Sequence, residues 1–298
     1  MVRIGVDVGG TKIEGILLDG SVERARHRVA TPQGDYRGTV AAIVAVIDHL
    51  DPDAATTVGL GTPGSVSPTS GLMRNANSVV LNGMPFTTDV AEALGRPIRV
   101  ANDADCMALS EAVDGAGEGA ASVFGVILGT GVGGGLVVDR RLITGHNGIA
   151  GEWGHNSLPF PTPDEAGQRP CWCGLVGCVE RWLCGEGLAA TYTDITGEDL
   201  PDAAAVVARA DEGDSGAHQA LSRYVDQLAR ALAGVVNVFD PEVIVLGGGV
   251  SNIEMLYEAV PVALDRYVFS DHIDTAVRRA KHGDSTGVRG AAWLWPDG

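Results

Sequence analysis

Two segments far apart in this chain repeat one pattern: a strand-like apolar run, a cluster of glycines and a second strand-like run. In the first copy, residues 3–8 precede the turn Gly9-Gly10 and residues 11–18 follow it. In the second copy, residues 122–128 precede a glycine-rich stretch at residues 129–135, and residues 136–138 follow it. A repeated unit of this kind predicts a duplicated α/β lobe. We therefore expect two lobes, residues 1–118 and 119–298, with a C-terminal helix packing back on the first lobe.

The acidic composition limits the partners that this chain is expected to have. The formal net charge is −17, and Lys12 and Lys281 are the only lysines among 298 residues. A field of this sign repels nucleic acid backbones and anionic membranes, so we predict no nucleic acid and no membrane partner. The sequence opens directly on a strand-like run, without the basic and apolar segments of an export signal, which favours a cytoplasmic location.

The glycine clusters predict loops that bind phosphate. Without Cβ atoms, backbone N–H groups can approach an anion closely, and Thr11 and Thr130 add hydroxyl donors. Neither cluster is a P-loop, and the G-x-G-x-x-G spacing from Gly129 leads into a strand where a dinucleotide site requires a helix. Asp7 would repel phosphate unless Mg²⁺ lay between them, which favours a metal–nucleotide complex. Each loop taken alone also fits a plain hairpin turn, but a third glycine turn at residues 247–249 favours phosphate binding.

Asn102 and Asp103 stand where a predicted strand, residues 98–101, meets a predicted helix. In open α/β folds, ligands bind at this end of the strands. A carboxylate there can accept the proton of a hydroxyl that attacks a γ-phosphate, while Asn102 binds a neighbouring hydroxyl. The alternative is that Asp103 only caps the helix.

Three cysteines and one histidine have the composition of a structural zinc site. Cys171, Cys173 and Cys178 follow His155 closely in a chain with 5 Cys. Three thiolates and one imidazole complete a tetrahedral zinc shell without an open position. Free buried cysteines are the alternative, and disulfides are disfavoured because no export signal is visible.

Two glutamates flank this cluster. Glu152 and Glu180 each lie within three residues of a proposed zinc ligand. A rigid metal site would fix both carboxylates, which are good acceptors for sugar hydroxyls. Each would equally fit an ordinary surface glutamate.

Five motifs resemble those of the ROK family, in the same order and over the whole chain. They are residues 5–12 (GVDVGGTK), 102–104 (NDA), 129–135 (GTGVGGG), 151–155 (GEWGH) and 171–180 (CWCGLVGCVE). The resemblance implies an actin-like, hexokinase-like (ribonuclease H-like) two-lobe α/β fold. It also implies ATP in the interlobe cleft and a sugar on the N-terminal side.

The resemblance also implies residue roles. Asp103 is the expected catalytic base. The expected sugar ligands are Asn77, Asn102, Asp103, Glu152, His155 and Glu180. The expected ATP and Mg²⁺ segments are Gly5, Val6, Asp7, Val8, Gly9, Gly10, Thr11, Lys12, Gly129, Thr130, Gly131, Val132, Gly133, Gly134, Gly135, Leu136, Gly247 and Gly248. The expected zinc ligands are His155, Cys171, Cys173 and Cys178.

Within the family, the chain resembles bacterial fructokinases of the mannofructokinase type. The resemblance lies in residues 75–78, 81–86, 281–285 and 293–296. It implies transfer of phosphate from ATP to D-fructose, giving fructose 6-phosphate, by an enzyme that is a homodimer.

Two alternatives stay open at this stage. A glucokinase, mannokinase or N-acetylhexosamine kinase of the same family would differ only in pocket details that one sequence does not reveal. A sugar-responsive repressor of the family would carry a helix-turn-helix segment ahead of Gly5, where we expect none.

One position departs from the family pattern. Relatives usually read Asn-Asp-Ala-Asn, whereas Asp105 stands here at the last position. A second carboxylate would raise the pKa of Asp103 by repulsion or would point away from it.

Overall fold

The computed structural model describes residues 1–51, 56–76 and 78–296, with strands and helices along the whole of that range. The strands are β1 (Val2–Val8), β2 (Lys12–Asp19), β3 (Val22–Ala30), β4 (Thr57–Thr62), β5 (Ser65–Val66), β6 (Met73–Arg74), β7 (Ile98–Asn102), β8 (Ser122–Leu128), β9 (Val132–Val138), β10 (Arg141–Ile143), β11 (Val243–Gly247) and β12 (Ala276–Arg279). The helices are α1 (Tyr36–Leu50), α2 (Phe86–Leu94), α3 (Asp103–Asp114), α4 (Glu180–Leu183), α5 (Gly185–Thr196), α6 (Ala203–Asp211), α7 (Ser215–Phe239), α8 (Leu256–Leu264) and α9 (Thr286–Ala292).

These elements form two compact units. The first comprises Met1–Gly119, Gly135–Gly151 and Lys281–Gly298, and the second comprises Ala120–Gly134 and Glu152–Ala280. One sheet has the strand order β3-β2-β1-β4-β7, and the other has the order β10-β9-β8-β11-β12. The lobe boundary at residue 118 stays a prediction. Residues 135–151 and 281–298, which it assigned to the second lobe, cluster in space with the N-terminal segment.

Successive residues of β1 point to opposite faces of the first sheet. Ile4 and Val6 are fully buried in a core that they share with Ile43 and Ile47 of α1. The opposite face carries Gly5, over which α9 packs. Such alternation is expected where successive side chains point to opposite sides of a strand.

Three glycines allow the backbones of α9, α3 and the sheet to touch. A Cβ atom at Gly5 would collide with the carbonyl oxygen of Val288, and one at Gly59 would collide with that of Ala291. On the other side of α9, a Cβ atom at Gly290 would collide with the carbonyl oxygen of Cys106 in α3. The C-terminal helix is therefore wedged between β1, β4 and α3 at distances that only glycine permits.

The second unit combines parallel pairing of β11 with β8 and β12 and a group of helices in which α7 packs on α5, α6 and α8. Arg230 of α7 is buried and forms an ion pair with Glu165 at 2.8 Å. The same guanidinium donates to the carbonyl oxygens of Pro159 and Phe160. These contacts hold the loop between His155 and Cys171, two of the predicted metal ligands, against α7.

One sequence prediction about local structure is wrong. The glycine-rich stretch at residues 129–135 was expected to be a turn throughout, but β9 begins at Val132. Gly134 and Gly135 serve packing within the strand, because a Cβ atom at Gly134 would lie 2.8 Å from Trp153 and one at Gly135 would lie 2.8 Å from Ala108. Across the described residues, no helix is both long and apolar enough to cross a bilayer.

We expect Gly290→Ala to destabilise the protein by about 1–3 kcal/mol, because the new methyl group meets the backbone of Cys106, which cannot move aside cheaply. Gly234→Ala in α7 is the matched control: its Cβ atom would meet no described atom within 4 Å, and alanine has the higher helix propensity, worth about 1 kcal/mol. Urea unfolding of both variants checks this. Equal stability of the two would show that α9 and α3 do not depend on the glycine contact.

Candidate functional site

The first glycine loop is a tight hairpin between β1 and β2. The N–H of Gly9 donates to the carbonyl oxygen of Lys12 at 2.9 Å, and the hydroxyl of Thr31 donates to the carbonyl oxygen of Gly9 at 2.7 Å. A cavity of about 300 Å³ opens beside Gly9 and Gly10. The loop is thus braced from one side and open on another, as a ligand-binding loop requires.

Asp7 is the last residue but one of β1 and lies next to this loop, where its ionised form is unfavourable. Burial and, to a smaller extent, the charge of Asp103 raise the pKa of Asp7 from the ordinary 3.8 to about 6. The positive charge of Lys12 partly opposes this rise. The carboxyl faces Gly61 and Gly287, where added Cβ atoms would lie 3.7 and 3.8 Å from it. A divalent cation at this position would relieve the repulsion between the two carboxylates.

Glu14 belongs to the same face, and sequence reasoning missed it. It stands opposite Asp7 in the β1–β2 register and contacts Lys12 Nζ at 3.3 Å. Burial opposes its ionisation, but hydrogen bonds from Arg28, Arg26 and Lys12 outweigh burial and lower the pKa of Glu14 to about 2. The alternation of β2 after the loop placed Glu14 on this face, a signal that the motif alone did not carry.

Asn102 and Asp103 mark the junction of β7 and α3, as predicted. Asn102 is the N-cap, since its Oδ1 accepts the N–H of Asp105 at 2.6 Å. Asp103 follows as the first helical residue, and its Oδ1 accepts the N–H of Ala104 at 2.8 Å. Capping is therefore the task of Asn102, which leaves the amide nitrogen of Asn102 and an oxygen of Asp103 for a ligand.

The environment of Asp103 suits proton transfer. The residue is exposed, yet the protein around its carboxyl limits hydration and raises its pKa, against the lowering effect of the Ala104 N–H. A raised pKa makes the carboxylate a better proton acceptor. Asp105 is buried in the same first turn, and the raised pKa of Asp103 comes from the limited hydration of its carboxyl rather than from the charge of Asp105.

The second glycine loop lies between β8 and β9. The N–H of Gly129 donates to the carbonyl oxygen of Gly131 at 3.0 Å, and the N–H of Gly185 donates to that of Gly129 at 2.8 Å. The third glycine turn follows β11, where Gly248 has a φ of +82° and a Cβ atom would collide with the backbone of Leu128. Within the second unit, both turns therefore lie at the ends of the neighbouring strands β8 and β11.

Four side chains in the second unit converge as a metal site would require. The Nδ1 or Nε2 atom of His155 and the Sγ atoms of Cys171, Cys173 and Cys178 all lie within 4.8 Å of one another. Cys171 Sγ is 3.6 Å from His155 Nδ1, and Cys173 Sγ is 3.6 Å from Cys178 Sγ. Ligands of a tetrahedral zinc ion lie about 3.5–3.8 Å apart, given the usual bond lengths. The four residues fit a structural zinc ion.

Ionised sulfurs at this spacing repel one another, so thiolates are stable together here only around a cation. Burial, together with the neighbouring Cys173 and Cys171, raises the pKa of the Cys178 thiol to about 12. Without a cation, this sulfur would stay protonated at neutral pH. A zinc ion would bind the thiolates and reverse that preference.

Glu152 and Glu180 lie on either side of the cluster. Glu152 precedes the 3-10 turn Trp153–His155, which carries the histidine. Glu180 begins α4, and its Oε2 accepts the N–H of Val132 at 3.1 Å. The carboxylate of Glu180 is thus tied to the second glycine loop, and Glu152 lies next to the turn that carries His155.

The structure brings the predicted residues together within each unit. In the first unit, Asp7, Lys12 and Asp103 surround the first loop, with Asn102 beside Asp103. In the second unit, the cluster, Glu180 and the second loop are neighbours. Gly135 and Leu136 lie in β9, and the predicted sugar ligand Asn77 lies outside the described residues.

Comparison with known proteins identifies the family. The sequence matches the ROK family over residues 3–298, and the chain belongs to that family. It is 40% identical over 297 residues to the N-acetyl-D-glucosamine kinase of Vibrio cholerae serotype O1, covering 97% of this chain and 98% of the relative. These findings confirm the expected class, a sugar kinase of the ROK family.

Solved structures confirm the fold. The crystal structure of a ROK hexokinase from Thermus thermophilus has a TM-score of 0.87 at 32% identity and covers 99% of this chain and 97% of that one. A ROK family glucokinase from Streptomyces griseus, solved with glucose and AMPPNP, has a TM-score of 0.76 at 28% identity and covers 100% of both chains. The predicted actin-like, hexokinase-like α/β class is therefore correct.

We expect native protein to contain about one zinc ion per chain and Cys173→Ser to lose it, because a hydroxyl is a poor zinc ligand. Cys184→Ser is the control: Cys184 lies outside the cluster and caps α5 by accepting the N–H of Gly187, a position that serine favours. Elemental analysis after gel filtration measures both. Native protein purified without chelator and free of zinc would contradict the assignment.

We expect Asp7→Asn to be more stable than native protein at pH 8. Because the pKa of Asp7 is raised to about 6 on folding, its charge costs stability progressively as pH rises from roughly 4 to 6 and fully above that. Removing the charge should yield about 1–3 kcal/mol at pH 8 and nothing near pH 4. Urea unfolding at both values, without metal or nucleotide, measures this.

Glu14→Gln provides the control of opposite sign. The pKa of Glu14 is lowered to about 2 from 4.5, so its charge stabilises the fold at pH 8, and that contribution is lost as pH falls through the folded pKa. Glu14→Gln should therefore be less stable than native protein at pH 8. A loss of stability in both variants would show that Asp7 is not held against its preferred charge.

Proposed function

We propose that this protein is an ATP-dependent kinase of N-acetyl-D-glucosamine. The observation that carries the proposal is the 40% identity to an N-acetyl-D-glucosamine kinase along 97% of the chain. A second relative of that name, from Pasteurella multocida, is 39% identical over 99% of both chains. The solved glucokinase with glucose and AMPPNP supports ATP as the phosphate donor.

The roles in the first unit follow from the surroundings of each group. Asp103, with its raised pKa, accepts the proton of the attacking sugar hydroxyl, and Asn102 donates to a neighbouring hydroxyl. Asp7 would hold Mg²⁺, which supplies positive charge to the phosphates. Lys12 adds a second positive charge at the first glycine loop, where Glu14 fixes its amine.

The roles in the second unit concern binding. The carboxylates of Glu152 and Glu180 accept hydrogen bonds from sugar hydroxyls, and the ring of His155 forms a further one. The zinc ion fixes the loop that carries these residues. The second loop and the turn at Gly247 and Gly248 present backbone N–H groups to the nucleotide. The primary 6-hydroxyl of the sugar is the least hindered acceptor and is the proposed site of transfer.

The comparisons favour this alternative over fructose, which the sequence placed first. The segments that suggested a fructokinase make structural contacts. Asn82 donates to and accepts from the backbone of Ala76 at 2.9 Å. The guanidinium carbon of Arg3 lies 4.5 Å from the ring centroid of Trp293, a cation–π contact. The indole N–H of Trp295 donates to the carbonyl oxygen of Val58. Such residues report on the fold of the family and carry little information about the sugar.

We expect kcat/KM for N-acetyl-D-glucosamine to exceed those for glucose, mannose and fructose by at least about tenfold, a difference of roughly 1.4 kcal/mol in transition-state binding. Coupled release of ADP measures turnover, and mass spectrometry with NMR locates the phosphate. Asp103→Asn is the control for the chemical step and should lower kcat by about 10²–10⁴. A preference for fructose, or near-native turnover of Asp103→Asn, would refute the proposal or its assigned base.

A further inference from the structure

Trp172 occupies an unusual position between two of the predicted zinc ligands. Its side chain is 68% exposed, although tryptophan is the largest apolar side chain and gains most from burial. Cys171 and Cys173 on either side fix its backbone if zinc is bound. A large aromatic ring is therefore presented to solvent on a rigid loop, which is typical of a surface that meets a ligand.

The ring of Trp172 has two defined neighbours. Its indole N–H donates to Glu180 Oε1 at 2.8 Å. The ring packs edge-to-face with the ring of His155, with 4.8 Å between the ring centroids and 88° between the ring planes. Both neighbours are proposed sugar ligands, so Trp172 borders the groups that would hold the sugar.

Glu180 also contacts the second glycine loop. Its Oε2 accepts the N–H of Val132, the first residue of β9. A Cβ atom at Gly131 would lie 2.8 Å from the same oxygen, so the loop approaches this carboxylate at a distance that glycine allows. One carboxylate thus joins the loop of the metal cluster to the loop assigned to the nucleotide.

A carboxylate held at both oxygens has a fixed plane. Each oxygen has a second lone pair that can accept a sugar hydroxyl, and its direction is set by the two existing donors. If one donor is removed, the side chain regains rotational freedom, which sugar binding must then remove. Trp172 supplies one of these donors.

We propose that Trp172 is a positioning residue for the sugar: its indole N–H fixes Glu180, and its exposed ring forms a wall against which the sugar lies. Aromatic faces suit the C–H surface of a pyranose ring, and the hydroxyls of the same sugar bind the carboxylate that the indole orients. The inference rests on the proposed function and adds to it a residue that acts through Glu180.

Trp172→Phe tests the indole N–H while it keeps an aromatic ring. We expect its KM for N-acetyl-D-glucosamine to rise about tenfold, the loss expected for one hydrogen bond to a charged group. KM for ATP and kcat should stay within about twofold, because the variant alters binding before the chemical step. Leu175→Ala, another exposed side chain of the same loop, is the matched control and should keep the native KM for the sugar.

Fluorescence gives a readout that does not depend on turnover. Trp172 is one of 5 tryptophans, and the sugar should change the emission of the native protein but not that of Trp172→Phe. Zinc content is measured on the same samples. A native sugar KM in Trp172→Phe, an unchanged sugar-dependent emission, or a fall in kcat accompanied by zinc loss would each overturn the positioning role.

The two proposals fail in different ways. If the native protein phosphorylates none of the hexoses, the proposed function falls. If the native protein phosphorylates N-acetyl-D-glucosamine and Trp172→Phe matches it in KM and emission, only the role of Trp172 falls.

Discussion

The close approach of α9 to β1, β4 and α3 is the contact on which the first unit depends. Glycines at positions 5, 59 and 290 let backbones meet where side chains would keep them apart. Because α3 begins at Asp103, the packing that fixes α3 also fixes this carboxylate relative to Asp7. The repulsion between the two acids, which adds to burial in raising the pKa of Asp7, is thus set by this backbone packing.

The sequence predicted the parts of the fold that short-range patterns control. β1 follows from its apolar run, and the junction of β7 and α3 at Asn102 and Asp103 follows from the end of the predicted strand. The start of β9 was missed because its glycines suggested a turn. Those glycines make room for Trp153 and Ala108, which pack against the strand from elsewhere in the chain. Such long-range contacts leave no local signal in the sequence.

The candidate site was predictable to a similar extent. Spacing alone indicated the metal cluster, whose four ligand atoms converge, and the strand end indicated Asp103. Glu14 and Trp172 were not identified, because each is linked to the site by a side-chain contact that the spacing of the motifs does not reveal: Glu14 with Lys12, and Trp172 with Glu180. The choice of sugar was beyond the sequence for a related reason. In the segments that suggested a fructokinase, Asn82, Trp293 and Trp295 make packing contacts within the first unit.

Because the sequence contains only two lysines, their positions decide where chemistry directed at side-chain amines can act. Lys12 pairs with Glu14 at the first glycine loop, with 40% of its side chain accessible, and Lys281 donates to the carbonyl oxygen of Asp114 at the end of α3. Reactions directed at primary amines, including acetylation and chemical crosslinking, therefore find their side-chain targets at the first glycine loop and where the C-terminal segment meets the end of α3. In most proteins such reactions scatter over the surface, whereas on this chain they have only these two side chains as targets.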